Sequence, residues 1–372
     1  MYKIVKKELL APNIYLMNIE APRVARSARP GQFVIVRLDE HGERVPLTIS
    51  DYDAEQGWVT IVTQTVGYST SKLCAMSEGD SLADFAGPLG CPSEFVHEEP
   101  EALRRRRILF VAGGVGTAPV YPQVKWLSER GVKADVIIGA KNKDTLILTD
   151  KMRAVAGEGF IATDDGSAGF HGMVTDLMRD LIDRQGKRYD EVIAIGPMIM
   201  MKFVARTTKE YGIRTIVSLN TLMVDGTGMC GACRVTVGGR TRFTCVEGPE
   251  FDGHEVDFDE AMRRQGMYKT IESRKARMDP KVRVTNFEEV CYGYALDEAR
   301  LEASRCLGCK KPRCVEHCPV SLQIPQFIAQ LRDGNLAEAA RIIAQDSSLP
   351  SVCGRVCPQE TQCEGSCILG VK

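Results

Sequence analysis

The chain has 372 residues, enough for about two or three domains, and its mixture of 44% hydrophobic and 26% charged residues excludes a fibrous or intrinsically disordered protein. Its 48 basic and 49 acidic residues leave a net charge of −1, so no overall field favours nucleic acid or an anionic membrane as a partner. No apolar run approaches the roughly 20 residues that span a bilayer, and the charged first residues do not resemble a signal peptide. We therefore expect a cytoplasmic protein.

Residues 1–100 contain short segments that are rich in β-branched and aromatic residues and are separated by turn sequences. The segments that we predict as strands are Asn13–Glu20, Gln32–Leu38, Trp58–Thr65 and Asp80–Gly87. Several short strands at regular spacing are typical of a small β-barrel.

The pattern changes near residue 107. Ile108–Ala112 is a continuous apolar run, as expected of a strand that is buried on both faces. The later elements that we predict are the strands Asp135–Gly139, Glu191–Ile195 and Thr215–Ser218 and the helices Val120–Arg130 and Met198–Tyr211. Strands that alternate with helices predict an α/β nucleotide-binding domain over residues 101–220.

The remaining sequence divides into three parts. Residues 221–260 are rich in glycine and cysteine, and the charged stretch 261–279 is expected to be a linker. From residue 280 the chain is predicted to be helical, with one helix through Ile324–Leu331 and another through Leu336–Ile343.

The strongest chemical signal is the distribution of the 14 cysteines, nine of which lie in residues 273–372. The spacing C-x2-C-x4-C-x3-C-P is formed by Cys306, Cys309, Cys314 and Cys318. A second set consists of Cys353, Cys357, Cys363 and Cys367. Two quartets match the needs of two [4Fe-4S] clusters. Two zinc sites are the alternative, although zinc favours paired C-x2-C sequences and only the first two cysteines have that spacing.

A second cysteine motif lies in residues 225–245. Plant-type [2Fe-2S] loops have the spacing C-x4-C-x2-C with a distant fourth cysteine. This chain keeps the spacing but begins it with a carboxylate, so the candidate ligands are Asp225, Cys230, Cys233 and Cys245. The nearby glycines would let backbone N–H groups approach the cluster. A three-cysteine zinc site, or a cluster lost with its fourth thiol, remains the alternative.

Two other regions carry weaker signals. The glycine loop Gly113–Pro119 lies between a buried strand and a helix, where backbone amides can reach a pyrophosphate, but it lacks the G-x-G-x-x-G fingerprint. Arg44 can pair with a diphosphate, and the hydroxyls of Ser69 and Thr70 can add hydrogen bonds. From composition alone these residues belong to a strand and a turn.

Residues 1–272, with these motifs, resemble the flavoprotein electron-transfer subunits of the ferredoxin–NADP reductase superfamily, such as those of dihydroorotate dehydrogenase B and of the NADH-dependent ferredoxin–NADP oxidoreductase. The resemblance implies that FAD lies along Arg44, Pro46, Leu47 and Thr48, with Thr48 near the flavin ring as the catalytic residue. It implies that the FAD diphosphate is held by Gly67, Ser69 and Thr70. The residues that it places around the nicotinamide nucleotide are Gly113, Gly114, Gly116, Thr117, Pro119, Asp164, Asp165, Gly196, Pro197 and Met198.

Residues 280–372 resemble the N-terminal helical domain of the glutamate synthase small subunit, so the chain looks like a fusion of two subunits. This resemblance implies that one [4Fe-4S] cluster is bound by Cys306, Cys309, Cys314 and Cys367. It implies that the other is bound by Cys318, Cys357 and Cys363. The fourth ligand of that second cluster is either Cys353 or missing from the chain.

The prediction is thus a multi-domain protein. It comprises an FAD-binding β-barrel (1–100), an NAD(P)-binding α/β domain (101–220), a small [2Fe-2S] domain (221–260), a linker (261–279) and a helical ferredoxin-like domain with two [4Fe-4S] sites (280–372).

The predicted function is NAD(P)H-dependent electron transfer through FAD and [2Fe-2S] to [4Fe-4S] clusters, and then to a ferredoxin or a flavin-containing catalytic subunit. The alternatives are an electron-transfer subunit of a dihydroorotate dehydrogenase B or a sulfide dehydrogenase-like enzyme, a non-catalytic iron–sulfur relay, and a zinc-stabilised regulator. The sequence leaves the choice between NADH and NADPH open.

Overall fold

The computed structural model describes residues 2–40, 42–266, 296–304 and 306–351, together with residues 353, 357, 359 and 362–367. The chain divides into two compact units, Met1–Lys275 and Ala276–Lys372. No helix in the described part of the chain is both long enough and apolar enough to cross a membrane.

The first unit begins with a seven-stranded antiparallel sheet in the order β6-β1-β2-β5-β4-β3-β7. Its strands are β1 (Tyr2–Ala11), β2 (Ile14–Glu20), β3 (Phe33–Arg37), β4 (Val45–Asp53), β5 (Trp58–Gln64), β6 (Ser81–Leu82) and β7 (Asp84–Leu89), and its helices are α1 (Pro22–Ser27) and α2 (Tyr68–Ala75). Only Ala83 separates the two edge strands, so the sheet nearly closes into the barrel that the sequence predicts. The single strand predicted at Asp80–Gly87 is wrong, because the chain passes from one edge of the sheet to the other at Ala83.

The second part of this unit is a mainly parallel sheet in the order β11-β10-β9-β8-β12-β13-β16. Its elements are α3 (Pro100–Arg104), β8 (Ile108–Gly113), α4 (Thr117–Glu129), β9 (Asp135–Ala140), α5 (Thr149–Val155), β10 (Gly159–Thr163), β11 (Phe170–His171), α6 (Val174–Arg179), β12 (Glu191–Ile195), α7 (Met198–Glu210) and β13 (Arg214–Ser218). Short 3-10 turns lie at Glu94–His97, Gly114–Gly116 and Lys143–Thr145, and a π-helical turn lies at Asp180–Arg184. The strand order reverses between β8 and β12, which is the topological switch point where α/β sheets bind ligands.

The cysteine-rich segment follows β13. Its elements are β14 (Arg234–Val237), β15 (Arg240–Phe243), α8 (Thr244–Glu247), β16 (Glu250–Asp252) and α9 (Phe258–Gly266). Gly238 and Gly239 form the two-residue hairpin turn between β14 and β15, with φ of +57° and +71°, and both values favour glycine. The linker predicted at 261–279 is wrong in its described part, because α9 packs against α7 and β14 and buries Phe258 and Ala261. Residues 267–279 lie outside the described residues.

The described part of the second unit is helical. Its helices are α10 (Leu296–Ala303), α11 (Arg313–Glu316), α12 (Ile324–Arg332) and α13 (Leu336–Asp346). Pro325 lies in the first turn of α12, where its missing N–H has no partner to lose. The two helices predicted from the apolar spacing after residue 320 are confirmed, and α12 packs against both α10 and α13.

Candidate functional site

Strand β4 is a central strand of the barrel sheet, but part of it is exposed. It lies between β5 and β3, yet Val45, Pro46, Leu47 and Thr48 are each only half-buried. Thr48 is opposite Phe33 in the ladder between β3 and β4. A central strand with a partly uncovered face can accept a flat apolar ring, and these are residues that the resemblance places along the flavin.

The start of helix α2 offers hydroxyl groups beside exposed apolar side chains. The Thr70 hydroxyl oxygen accepts hydrogen bonds from the N–H groups of Gly67 (2.9 Å) and Val66 (3.1 Å), and the Ser69 hydroxyl donates to the carboxylate of Glu43. A Cβ atom on Gly67 would meet nothing within 4 Å, so the turn is open on that side. Hydroxyls and a helix start are groups that suit a phosphate. Sequence reasoning missed Glu43 because it lies 26 residues before Ser69 in the chain.

Arg44 connects β4 to the cysteine-rich segment. Its Nε atom donates to the carbonyl oxygen of Val224 at 3.1 Å, and Nη2 donates to the carbonyl oxygen of Asp225 at 3.4 Å. Its Nη1 atom lies 3.6 Å from the carboxylate of Asp84 in β7. The guanidinium therefore fixes the start of the cysteine loop on the barrel. Its contact with a diphosphate stays a prediction.

The glycine loops after β8 and β12 meet at the switch point. A Cβ atom on Gly116 would overlap the carbonyl oxygen of Ile195, and one on Gly196 would lie 3.1 Å from Cα of Gly113. Gly114 has φ of +55° and open space around its missing side chain. Only glycine permits this close approach, and it places the half-buried turn Gly114–Gly116 directly before α4, where its backbone can face a ligand.

At two of the positions predicted to bind the nucleotide, the side chain is buried and does not face the carboxyl ends of the strands. Thr117 is fully buried and its hydroxyl donates to the carbonyl oxygen of Gly114 at 3.0 Å, and Met198 packs into the core of the sheet. Only the backbone of Met198, beside Pro197 at the start of α7, remains available to a ligand. Pro119 is half-buried in the first turn of α4.

The turn after β10 lies at the same end of the sheet, because parallel strands have their carboxyl ends together. Asp165 accepts hydrogen bonds from the hydroxyl (2.6 Å) and the N–H (2.9 Å) of Ser167, and these bonds lower the pKa of Asp165. The Ser167 oxygen in turn accepts from the N–H of Lys143 at 2.8 Å. The turns that follow β9 and β10 are thus tied together, with Asp164 and Asp165 at the edge.

Two of the cysteines in residues 225–245 form a buried pair. The hairpin register, with Arg234 opposite Phe243, brings the residues on either side of it together. As a result Cys233 and Cys245 are each 2% exposed, and their sulfur atoms lie 3.2 Å apart. Burial, together with the neighbouring Cys233 thiol, raises the pKa of Cys245.

Asp225 lies beside Cys230, the cysteine of this motif that is not in the buried pair. Its carboxylate accepts hydrogen bonds from the N–H groups of Thr227 (2.9 Å) and Cys230 (3.0 Å), and the Thr227 bond is the largest cause of its lowered pKa. A Cβ atom on Gly226, where φ is +73°, would overlap Ile35 of the barrel. The loop therefore brings Asp225 beside Cys230, and the negative charge of Asp225 also raises the pKa of Cys245. A binuclear cluster needs two protein ligands for each iron, and these four residues supply that number.

The cysteines of the second unit fall into two neighbourhoods. Burial raises the pKa of the Cys314 thiol, and the nearby thiols of Cys367 and Cys306 raise it further. Burial likewise raises the pKa of Cys363, with a contribution from Cys318 and Cys357. The structure thus places Cys314 near Cys306 and Cys367, and Cys363 near Cys318 and Cys357; that each set binds one cluster stays a prediction.

Cys353 is exposed, and its sulfur lies 3.9 Å from the hydroxyl of Ser347. Within the described residues, no three His, Cys, Asp or Glu side chains lie close enough to hold a single metal ion. A zinc ion needs its sulfur ligands at about 2.3 Å, whereas the thiols of a four-iron cluster each bind a different iron.

Comparisons with known proteins match the two units separately. A family model described as the iron-sulfur cluster binding domain of dihydroorotate dehydrogenase B matches residues 220–257. A second model, described as dihydropyrimidine dehydrogenase domain II, 4Fe-4S cluster, matches residues 283–372.

Individual relatives cover the first unit. An uncharacterized protein in the adh 3′ region of Clostridium beijerinckii is 62% identical over 74% of this chain and 93% of that protein. A Thermotoga maritima homologue of the dihydroorotate dehydrogenase B (NAD(+)) electron transfer subunit is 46% identical over 73% of this chain and 92% of that protein. A chain in the solved NADH-dependent reduced ferredoxin–NADP oxidoreductase structure is 45% identical, with a TM-score of 0.68, and the match covers 73% of this chain and 95% of that chain.

Proposed function

This chain belongs to the family of dihydroorotate dehydrogenase B electron-transfer subunits, and we propose that it carries electrons from NAD(P)H to a partner acceptor by way of FAD and iron–sulfur clusters. The observation that carries the proposal is the contact of Arg44 with the carbonyl oxygens of Val224 and Asp225. It attaches the cysteine loop directly to the strand that the flavin would occupy.

The flavin would lie on the open face of β4, with Thr48 beside its ring. Ser69 and Thr70 would bind its diphosphate together with the N–H groups at the start of α2. When bound, the flavin changes a two-electron hydride transfer into single-electron steps, and the clusters supply one-electron carriers.

The nicotinamide nucleotide would bind across the switch point. The backbone N–H groups of Gly114–Gly116 and the N-terminus of α7 would face its phosphates, because both lie at the carboxyl ends of adjacent parallel strands. Asp164 and Asp165 at the neighbouring turn would define the other end of this surface. The buried side chain of Thr117 would keep the loop in shape without touching the ligand.

Three clusters have candidate ligands in this chain. Asp225, Cys230, Cys233 and Cys245 would bind one [2Fe-2S] cluster. In the second unit one [4Fe-4S] cluster would be bound by Cys306, Cys309, Cys314 and Cys367, and another by Cys318, Cys357 and Cys363. The exposed position of Cys353 makes it available as the fourth ligand of the last set.

The acceptor would be a ferredoxin or a flavin-containing catalytic subunit. The names of the relatives support this proposal, since one is a homologue of an electron transfer subunit and another is part of a ferredoxin–NADP oxidoreductase.

The test is to purify the chain without oxygen, to measure iron, sulfide and FAD per chain, and then to add NADH or NADPH. About ten irons with one FAD, and absorption bands that bleach with one of the nucleotides, is the expected result. About six irons would mean that the last [4Fe-4S] set is incomplete. A brown protein without FAD would overturn the reductase proposal in favour of a relay, and a colourless protein that contains zinc would overturn both.

A further inference from the structure

Glu250 lies where three parts of the first unit meet. Its Oε1 atom accepts a hydrogen bond of 2.9 Å from the hydroxyl of Ser93, in the connection that leaves the barrel. The same atom accepts a second bond of 2.9 Å from the side-chain amide of Gln123 in α4. Glu250 is also the first residue of β16, the strand that follows the cysteine loop. One carboxyl thus joins the connection from the barrel, helix α4 and the strand after the cysteine loop. We call this meeting point the junction.

This junction is closed to water on the sides that are formed by its partners. Ser93 and Gln123 have no exposed surface. A Cβ atom on Gly31 would lie 3.0 Å from Oε1 of Glu250, so the loop before β3 also covers the carboxyl. Gly31 has φ of +87°, which only glycine adopts readily. The carboxyl is therefore held by packing from several elements at once.

The junction contains more acceptors than donors. The Ser93 hydroxyl and the Gln123 amide both donate to one oxygen of Glu250, and Oε1 of Gln123 is buried without a hydrogen-bond partner among the described residues. A proton on the carboxyl reduces this excess of acceptors. Burial raises the pKa of Glu250 to about 7, so the group keeps this proton well above the pH at which an exposed glutamate loses it.

The charged groups that face the junction favour the neutral acid. Glu94, next to Ser93, and Glu191 in β12 both raise the pKa of Glu250 further through their negative charge. Each of these two carboxylates is paired with Arg214, and Glu191 is also paired with Arg106 at 3.1 Å. No lysine or arginine forms an ion pair with Glu250 in the described part of the chain. An ionised Glu250 therefore lacks a compensating cation.

We propose that Glu250 is a positioning residue, which in its protonated form holds the barrel, helix α4 and the strand after the cysteine loop in the arrangement that electron transfer requires. Ionisation of the carboxyl places an uncompensated charge at the junction and loosens it. The kinetic part of this inference rests on the proposed function, whereas the structural part concerns the fold of the first unit alone.

The test compares Glu250→Gln with wild type and with Glu255→Gln, a matched change at an exposed glutamate five residues further on. Glutamine keeps the size and the acceptor oxygen of Glu250 but cannot ionise. In wild type the rate of cluster reduction by NADH is expected to fall up to about tenfold between about pH 6 and pH 8, as the protonated fraction falls. The rate for E250Q stays flat over this range, and E255Q follows wild type.

The melting temperature gives a second readout that needs no cofactor. A raised pKa in the folded state means that the stabilising effect of the proton is complete below pH 4.5 and is lost as the pH rises to about 7. The melting temperature of wild type should therefore fall relative to that of E250Q over this interval, and the difference should then stay constant. A protein without FAD would contradict the proposed function and still allow this comparison.

Ser93→Ala separates positioning from a merely structural role. The Ser93 hydrogen bond favours the ionised carboxyl, so its removal should move the midpoint of both pH profiles to higher pH. S93A also tests the proposal if the E250Q variant does not yield folded protein. An E250Q profile that matches wild type, or an unchanged midpoint in S93A, would overturn the proposal.

Discussion

The two units differ in how much buried apolar core supports their cysteine sites. In the first unit a hairpin and the barrel place Cys233 and Cys245 in a core, 2% exposed and 3.2 Å apart. In the described part of the second unit only Ala303, Ala339 and Ile342 are buried apolar residues, and α12 has no fully buried side chain. A small apolar core provides little folding free energy. The first unit thus shapes its site, whereas the second is expected to depend on its clusters for its fold.

The largest expected effect follows from that difference. Cys314→Ser removes a thiol that lies among Cys306 and Cys367, so the protein should lose about four irons and the whole unfolding transition of the second unit. The transition of the first unit should be unchanged. Calorimetry together with iron analysis measures both quantities.

Cys91→Ser, at an exposed thiol in the first unit, is the control for this change and should keep all of the iron. If the C314S variant keeps the wild-type iron content and both transitions, the second unit does not depend on the clusters in this way.

The equivalent change in the first unit should remove a cluster without unfolding the unit. Cys233→Ser places a hydroxyl in a buried position and is expected to cost about 1–3 kcal/mol of unfolding free energy, while about two irons are lost. Denaturant unfolding of the variant, with iron analysis, measures the two effects. A complete loss of the first unit's transition would show that this site, too, depends on its cluster.

A smaller effect is expected where the cysteine loop meets the barrel. Gly226→Ala adds a Cβ atom that overlaps Ile35 at a φ of +73°, so it should cost about 2–4 kcal/mol and lower the occupancy of the binuclear site. Gly239→Ala has a similar φ of +71° but open space around it, and should cost only about 1 kcal/mol. Equal costs for the two variants in denaturant unfolding would mean that the barrel contact contributes nothing.

The smallest structural effect is expected at Asp225. Asp225→Cys should retain the two irons but change the reduction potential, because a thiolate is a softer ligand than a carboxylate. A redox titration that is followed by the paramagnetic signal of the cluster measures the change. An unchanged potential would indicate that Asp225 serves only to accept the hydrogen bonds from Thr227 and Cys230.

Local patterns in the sequence predict much of this fold. The apolar runs give β8 and β12 almost to the residue, because a strand that is buried on both faces is a short continuous apolar run. The charged composition of residues 258–266 conceals helix α9, since only a few of its residues, including Phe258 and Ala261, are buried.

The candidate site is predictable only where its residues are close in sequence. The spacing of the cysteines predicts iron–sulfur ligands, and the glycine loop after β8 is a weaker signal for a pyrophosphate. In contrast, Arg44 reaches carbonyl groups about 180 residues away, and Glu250 reaches Ser93 and Gln123 from the far end of the unit. These contacts depend on how separate elements pack, and no local spacing encodes them.

The bonds of Arg44 to the cysteine loop end on backbone oxygens, not on side chains. Any residue at position 225 supplies the same carbonyl group, so the attachment of the loop is independent of the side chain that would bind iron. A substitution at position 225 would therefore leave this attachment to the barrel in place while it changed the group that the proposed cluster meets.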